Sequence, residues 1–210
     1  LYPLATVPMS EMDWLMEVNV YGPVRVTQAF APMIVESGGR ISTTGSISGI
    51  LSGRMYGPYS MTKHAMEAFT DSLAAEMEPQ GVHVSIIEPG NYESNIGPNV
   101  LARMKKQGYD QDGSPYREIF DRLKERVDKN EPSGDPMQVA KAALHAMFDP
   151  SPKRRYLVVP TQEQAGWTIG KAVEELAQLN MDHEFSYSRE QLIDMLDKAM
   201  NPAAEEKMAD

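Results

Sequence analysis

Residues 82–90 read Val82-His83-Val84-Ser85-Ile86-Ile87-Glu88-Pro89-Gly90, and this run decides the fold class. It is short, rich in branched residues and stopped by Pro-Gly, as a strand covered on both faces would be. Upstream, Tyr59 to Glu78 carries Ala65, Phe69, Leu73 and Met77 along one side of a helix that Pro79-Gln80-Gly81 ends. Before it, Arg40 to Thr44 reads as a second buried strand, running into the loop Gly45-Ser46-Ile47-Ser48-Gly49. Earlier still, Ser10 to Ala31 predicts a helix with Ser10 as N-cap, Glu11 and Asp13 in its first turn, and a bend at Gly22-Pro23.

Downstream the character changes. Asn91 to Gly134 is polar and broken by Gly97, Pro98, Gly108, Gly113 and Pro115, so it reads as an insertion or lid with a helix over Pro115 to Asn130. Asp135-Pro136 forms an N-cap and first-turn pair for a helix through Val139, Ala142, Leu144 and Met147. Tyr156 to Val159 is a third strand, Trp167 to Leu179 and Ser188 to Met200 are helices, and the residues after Pro202 form a frayed, charged tail. This alternation predicts an α/β fold, a parallel sheet with helices on both faces. The expected organisation is one domain over 1–210, with a lid at about 91–134 and a helical C-terminal extension at about 161–210.

Composition narrows the partners. A net charge of -10 opposes nucleic acid and anionic membrane, which favours a small-molecule or protein partner. No apolar run has the length of a membrane span, and Leu1 to Ser10 has no positive region before an apolar stretch. With no cysteine, disulfide and thiolate chemistry are excluded, and a cytoplasmic location is the default expectation. The four histidines, His64, His83, His145 and His183, lack metal-ligand spacing, so no metal site is expected.

Parallel sheets bind ligands beyond the carboxyl ends of their strands, which directs attention to the residues after Thr44 and Glu88. Thirteen residues past Ser46 begins Tyr59-Ser60-Met61-Thr62-Lys63, and Tyr59 and Lys63, four apart, share a helical face. Lowering a tyrosine pKa from about 10 by about three units needs roughly 4 kcal/mol. An ammonium about 4 Å away, at an effective dielectric near 20, supplies about that much. The pair is therefore a candidate for proton transfer, although an ordinary surface pair has the same spacing.

A strand ending at Ser46, the Tyr59-x-x-x-Lys63 helix, a strand ending in Pro89-Gly90 and Asn19-Val20-Tyr21-Gly22 on the preceding helix come in one order. In that combination the chain resembles the short-chain dehydrogenase/reductase family from about Leu1 to Val159. Arg154-Arg155-Tyr156-Leu157-Val158 looks like the retinol and hydroxysteroid dehydrogenase members. The resemblance implies a Rossmann-like doubly wound sheet and an oxidoreductase moving hydride between NAD or NADP and an alcohol or carbonyl substrate. It implies Tyr59 as general acid or base, Lys63 as the group that tunes Tyr59 and holds the cofactor ribose, Ser46 as the group that orients the substrate oxygen, and Asn19 as holder of a relay water. Pro89, Gly90, Asn91, Tyr92 and Ser94 would face the cofactor, and a homodimer or homotetramer would be the assembly.

Two departures stand out. Asn91-Tyr92-Glu93-Ser94 replaces the family's aliphatic residue and Thr after Pro-Gly. The glycine-rich phosphate turn is absent, so the expectation is that three strand–helix units and a fourth strand, about 90 residues at about 30 per unit, lie outside these residues together with the NAD or NADP choice. The strand at Arg40 to Thr44 would then have one side bare. A second reading is a non-catalytic, dehydrogenase-like interaction protein associating through the helices of Asn19 and Tyr59. A serine hydrolase is disfavoured, because Ile47 holds the centre of Gly45-Ser46-Ile47-Ser48-Gly49 where the nucleophile would stand. For the substrate, Met104, Tyr109, Tyr116, Ile119, Phe120 and Leu123 of the lid offer an apolar lining.

Overall fold

The computed structural model describes residues 1–108, 113–128 and 134–201, with side chains for all of these but 126–128. Three strands, β1 (Arg40–Thr44), β2 (His83–Pro89) and β3 (Arg155–Val158), form one parallel sheet in the order β1-β2-β3. Arg40 stands opposite His83 and Thr44 opposite Ile87, while Ile86 is paired with Arg155 and Pro89 with Val158. All three carboxyl ends therefore emerge on the same edge of the sheet.

The period of two along β2 divides its side chains between two cores. On one face Ile41, Val82 and Val84 pack with Leu73, Ala74 and Met77 of α3 (Gly57–Met77), flanked by Ala31, Ile34 and Val35 of α2 (Gly22–Glu36). On the other, Ile87 and Tyr156 pack with Ala146 of α6 (Met137–Phe148), flanked by Val139, Ala142, Ala143 and Val158. The branched composition of β2 follows from this double coverage. Within α3 the expected stripe is only partly right, since Ala65 and Phe69 are half-buried and the innermost line runs Thr62, Met66, Thr70 and Leu73. Thr70 reaches the sheet through a hydroxyl contact with Thr43 at 3.0 Å.

The N-terminal helix differs from expectation in ways that matter for the site. α1 (Met9–Met16) starts after Pro8, so Ser10 lies inside the helix and does not cap it. A five-residue π-helical turn, Glu17–Tyr21, then precedes α2, which runs to Glu36 through an internal Pro32. Pro23 has no N–H to close an α-turn on Asn19, and the ladder widens just before it, with the Gly22 N–H bonding Glu17 O. The expected bend is thus realised as a π-turn centred on Asn19.

Past β2, α4 (Ile96–Lys106) was not foreseen. Gly97 and Pro98 fall in its first turn, where a missing N–H costs nothing, so they open a helix and do not break one. α5 (Arg117–Asp128) fills the predicted Pro115 region. Arg103 of α4 donates two bonds, at 2.9 and 3.0 Å, to the buried Glu11 carboxylate of α1 and stacks 3.8 Å from the Trp14 ring. The remaining lid positions, 109–112 with Tyr109 and 129–133 with Asn130, lie outside the described residues, as does the tail from 202. Asp135 Oδ1 accepts from the Met137 N–H at 2.9 Å just ahead of α6, whose N-cap position is taken by Pro136 and not by Asp135.

The chain divides into two compact units, 1–169 and 170–210, with the boundary inside α7 (Gln162–Leu179). In the second unit α8 (Arg189–Met200) begins with a capping box, in which Ser188 and Gln191 exchange side-chain and backbone bonds. Among the described residues no helix is long and apolar enough to cross a membrane.

Candidate active site

Three elements deliver the polar groups to the carboxyl edge. β1 continues past Thr44 because the Gly45 N–H bonds Ile87 O at 2.7 Å, and the chain then turns in a short 3-10 helix, Ile47–Gly49. Ser46 caps that turn: its backbone is extended, and its Oγ accepts from the Ser48 N–H at 3.1 Å. A Cβ on the adjacent Gly45 would stand 2.8 Å from Ile86 Cδ1, so a larger residue there would push the Ile86 side chain aside. α3 begins with Gly57-Pro58 and presents Tyr59 in its first turn.

The structure brings Ser46, Tyr59 and Lys63 together. The Ser46 side chain is near enough to the Tyr59 phenol to favour its ionisation, and Lys63 Nζ lies 5.7 Å from the centre of the Tyr59 ring while donating to Thr44 O at 3.0 Å. Burial pushes the Tyr59 phenol up from its ordinary value, and Ser46 acts in the opposite direction. The expectation that Lys63 lowers the phenol is therefore not met in this state. Lys63 is itself pulled down by burial, with Glu67 opposing, and its ammonium is directed to the Thr44 carbonyl.

Asn19 joins from the π-turn, by its side chain. Its Nδ2 donates to Thr62 Oγ1 at 3.0 Å, and the Thr62 hydroxyl, fully buried, donates to Tyr59 O at 2.7 Å. The turn that carries Tyr59 is thereby tied to the preceding helix through two bonds. Thr62 was passed over in the motif because it occupies a variable place between Tyr59 and Lys63. The signal that could have found it is polarity on the innermost line of an otherwise apolar helix.

The loop after β2 is held from below. Gly90 N bonds Val158 O at 2.8 Å, and a Cβ there would fall 2.4 Å from Gln164 Oε1 and 2.9 Å from Val159 Cγ1, so only glycine fits. The buried Gln164 accepts from the Asn91 N–H at 2.8 Å. Tyr92 donates its hydroxyl to Gln138 at 2.7 Å and pairs across a bridge with Gly134, which commits its phenol to that contact. The Ser94 hydroxyl accepts from the Ile96 N–H at 3.4 Å, at the start of α4. Pro89 and Gly90 thus stand at the sheet edge with Asn91, whereas the Tyr92 and Ser94 side chains serve local structure.

Beside Lys63 lies a cluster that the motif search missed. Glu67, one turn further along α3, and Glu88, the last carboxylate of β2, both face Arg155 at the start of β3, at 3.2 and 3.6 Å. Arg155 also donates to Asp71 at 2.7 Å. Burial and the Glu67 charge push Glu88 up to about 7. A charged residue ending an apolar, doubly covered strand was the available clue.

A half-buried phenol with a serine hydroxyl nearby and an ammonium beside its ring, at the carboxyl edge of a parallel sheet, is an arrangement for moving a proton to or from a bound oxygen. The short chain dehydrogenase family model matches residues 2–105, which contain Asn19, Ser46, Tyr59, Lys63 and the Pro89-Gly90 loop. The chain belongs to the short-chain dehydrogenase family.

Among its relatives, an NADPH-dependent 3-dehydrocapnine reductase of Ornithobacterium rhinotracheale is 35% identical over 164 residues, which is 75% of this chain and 56% of that protein. A 3beta-hydroxysteroid dehydrogenase of Caenorhabditis elegans is 36% identical over 150 residues, or 67% of this chain and 39% of that one. A short-chain dehydrogenase structure from Streptomyces avermitilis superposes with a TM-score of 0.67 at 26% identity, covering 84% of this chain and 62% of that one, and identifies the sheet as Rossmann-like. The chain therefore spans about half the length of the curated relatives it matches.

Proposed function

We propose that the protein is an oxidoreductase that exchanges hydride between NAD or NADP and a secondary alcohol, ketone or aldehyde, with Tyr59 as proton donor or acceptor. The observation that carries this is Lys63 standing 5.7 Å from the centre of the Tyr59 ring, with Ser46 acting on the phenol, at the carboxyl edge of the sheet. In this reading Ser46 bonds the substrate oxygen and Tyr59 gives or takes its proton, the two hydroxyls converging on one acceptor. Burial keeps Tyr59 protonated at neutral pH, which suits the donor role in carbonyl reduction.

The residues fit a nicotinamide cofactor. Lys63 has three donors, of which Thr44 O takes one, and the others suit ribose hydroxyls. Pro89, Gly90 and Asn91 offer backbone at a spot where Gly90 allows no side chain, with Tyr92 and Ser94 following. A bound nicotinamide supplies or accepts the hydride. Asn19, through Thr62, positions the Tyr59 turn, and Asn19 would also hold the relay water.

Residues 91–134 are read as a lid, with half-buried Ile119, Phe120 and Leu123 and buried Met104 supporting an apolar substrate. The single-domain reading over 1–210 treats the second compact unit as a C-terminal extension. Exposed Trp14, Val18, Val26, Phe30 and Met33 on α1, the π-turn and α2 support association of copies through that face, as a dimer or tetramer. A cytoplasmic setting is the default reading for the chain.

Quenching of NADH and NADPH fluorescence by the full-length protein tests the reading against a non-catalytic dehydrogenase-like scaffold. Saturable quenching that Lys63→Met weakens at least about tenfold, as expected for loss of a charged donor, supports the enzyme. No saturable binding of either nucleotide overturns it.

A further inference from the structure

The cluster beside Lys63 has an unusual deficit. Glu67 Oε1 and Glu88 Oε1 are both buried and lack a hydrogen-bond donor, although both carboxylates face the one guanidinium of Arg155 and act on each other's ionisation. Arg155 lies 3.2 Å from Glu67 Oε2 and 3.6 Å from Glu88 Oε1, and it shares its charge with Asp71. Two facing carboxylates that exclude water cannot both ionise at modest cost, and one proton between them satisfies both orphaned oxygens at once.

We propose that Glu67 and Glu88 hold one proton between them as a carboxyl–carboxylate pair, and that the pair is a positioning device whose single negative charge keeps the neighbouring Lys63 an ammonium. The second half rests on the reading of Lys63 as a working group of the site. Geometry confines the pair tightly. A Cβ on Gly49 would lie 2.7 Å, and one on Gly45 3.3 Å, from Glu67 Oε1. Glu88 is only 2% exposed and Glu67 14%.

The charged groups facing the pair are few. α3 contributes Lys63 and Asp71, and β3 contributes Arg155. The Ser46 loop brings only glycines to Glu67, and the α6 side of β2 packs through Ile87. Burial lowers Lys63 while the Glu67 charge raises it, so removing that charge should leave the amine easier to deprotonate.

Two measurements on the full-length protein decide the matter. With glutamate labelled at the carboxyl carbon, NMR should show one carboxyl that stays protonated into the neutral range, and Glu88→Gln should abolish that titration. Competitive acylation of Lys63, followed by peptide mass spectrometry across pH, should show an earlier midpoint in Glu67→Gln. On the rising limb that appears as about threefold faster labelling at a fixed pH, with an unchanged alkaline plateau. Absence of a carboxyl titrating near neutrality overturns the proposal. So does a Glu67→Gln chain whose Lys63 midpoint is unmoved, or whose plateau alone rises, because mere exposure of the lysine would do that. Should Glu67→Gln fail to fold, Glu67→Met replaces it under the same criteria. Neither readout needs cofactor or substrate, so failure here is separable from failure of the oxidoreductase reading.

Discussion

The two faces of the sheet bury different chemistry. Toward α6 the contact is mostly apolar: Ile87, Ala146, Val139 and Val158 fill it, with buried Ser85 donating to Lys153 O at 2.7 Å and the Tyr156 hydroxyl meeting His145 Nδ1 at 2.8 Å and the Lys153 N–H at 2.7 Å. Toward α3 the sheet end buries Ser60, Thr62, Thr70 and Glu88 within a helix and strand that also carry Leu73 and Ile86. Apolar packing stabilises without directing a group, whereas a buried hydroxyl that must find a partner fixes an orientation. The face that spends polar groups is the one that holds Tyr59 and Lys63.

If that contrast is right, substitutions on the two faces should separate stability from turnover. The largest effect is expected from Tyr59→Phe, which keeps the ring and removes the proton. Turnover should fall about 10²- to 10⁴-fold in steady-state assays over a panel of secondary alcohols and carbonyls, with nucleotide affinity little changed. On the opposite face Ile87→Ala should cost about 2–5 kcal/mol in urea unfolding, yet leave the Tyr59 titration in place. Smaller again is Thr62→Val, which conserves shape and severs both the Asn19 and the Tyr59 O bonds. A loss of about 1–3 kcal/mol is expected, and unlike Ile87→Ala it should also lower turnover.

The smallest change is one of shape in a pH curve. Because the folded Glu88 carboxyl is raised to about 7, its contribution is full below the ordinary carboxylate value near 4.5 and is lost as pH rises toward 7. Glu88→Gln should flatten the decline of unfolding free energy across that interval. A wild-type curve that instead rises over the same range would count against the buried carboxyl pair.

Periodicity made the sheet legible, because β1, β2 and β3 are short branched runs with terminators and leave no competing reading. Tyr59 and Lys63 were legible as a pair sharing one helical face, whereas Ser46 was picked out from the neighbouring serines only by the resemblance to the family. Less visible was everything set by partners distant in sequence. Glu67 and Glu88 depend on Arg155, 88 positions beyond Glu67, and Thr62 depends on Asn19 across 43 positions. Local pattern also misjudged Gly97-Pro98, which break a helix in its interior but start one in the first turn. The sign of the Tyr59 shift was misread for a related reason: a pairwise attraction can be estimated from spacing, whereas desolvation requires the surrounding protein.

The convergence of Ser46 on Tyr59 can be read without cofactor or substrate, by following tyrosinate absorbance with Tyr59→Phe as the blank. The Ser46 hydroxyl favours the phenolate, so Ser46→Ala should move the Tyr59 ionisation to higher pH. A midpoint that stays where it is, or moves lower, would mean that the two hydroxyls do not meet and that no proton-transfer site is assembled here.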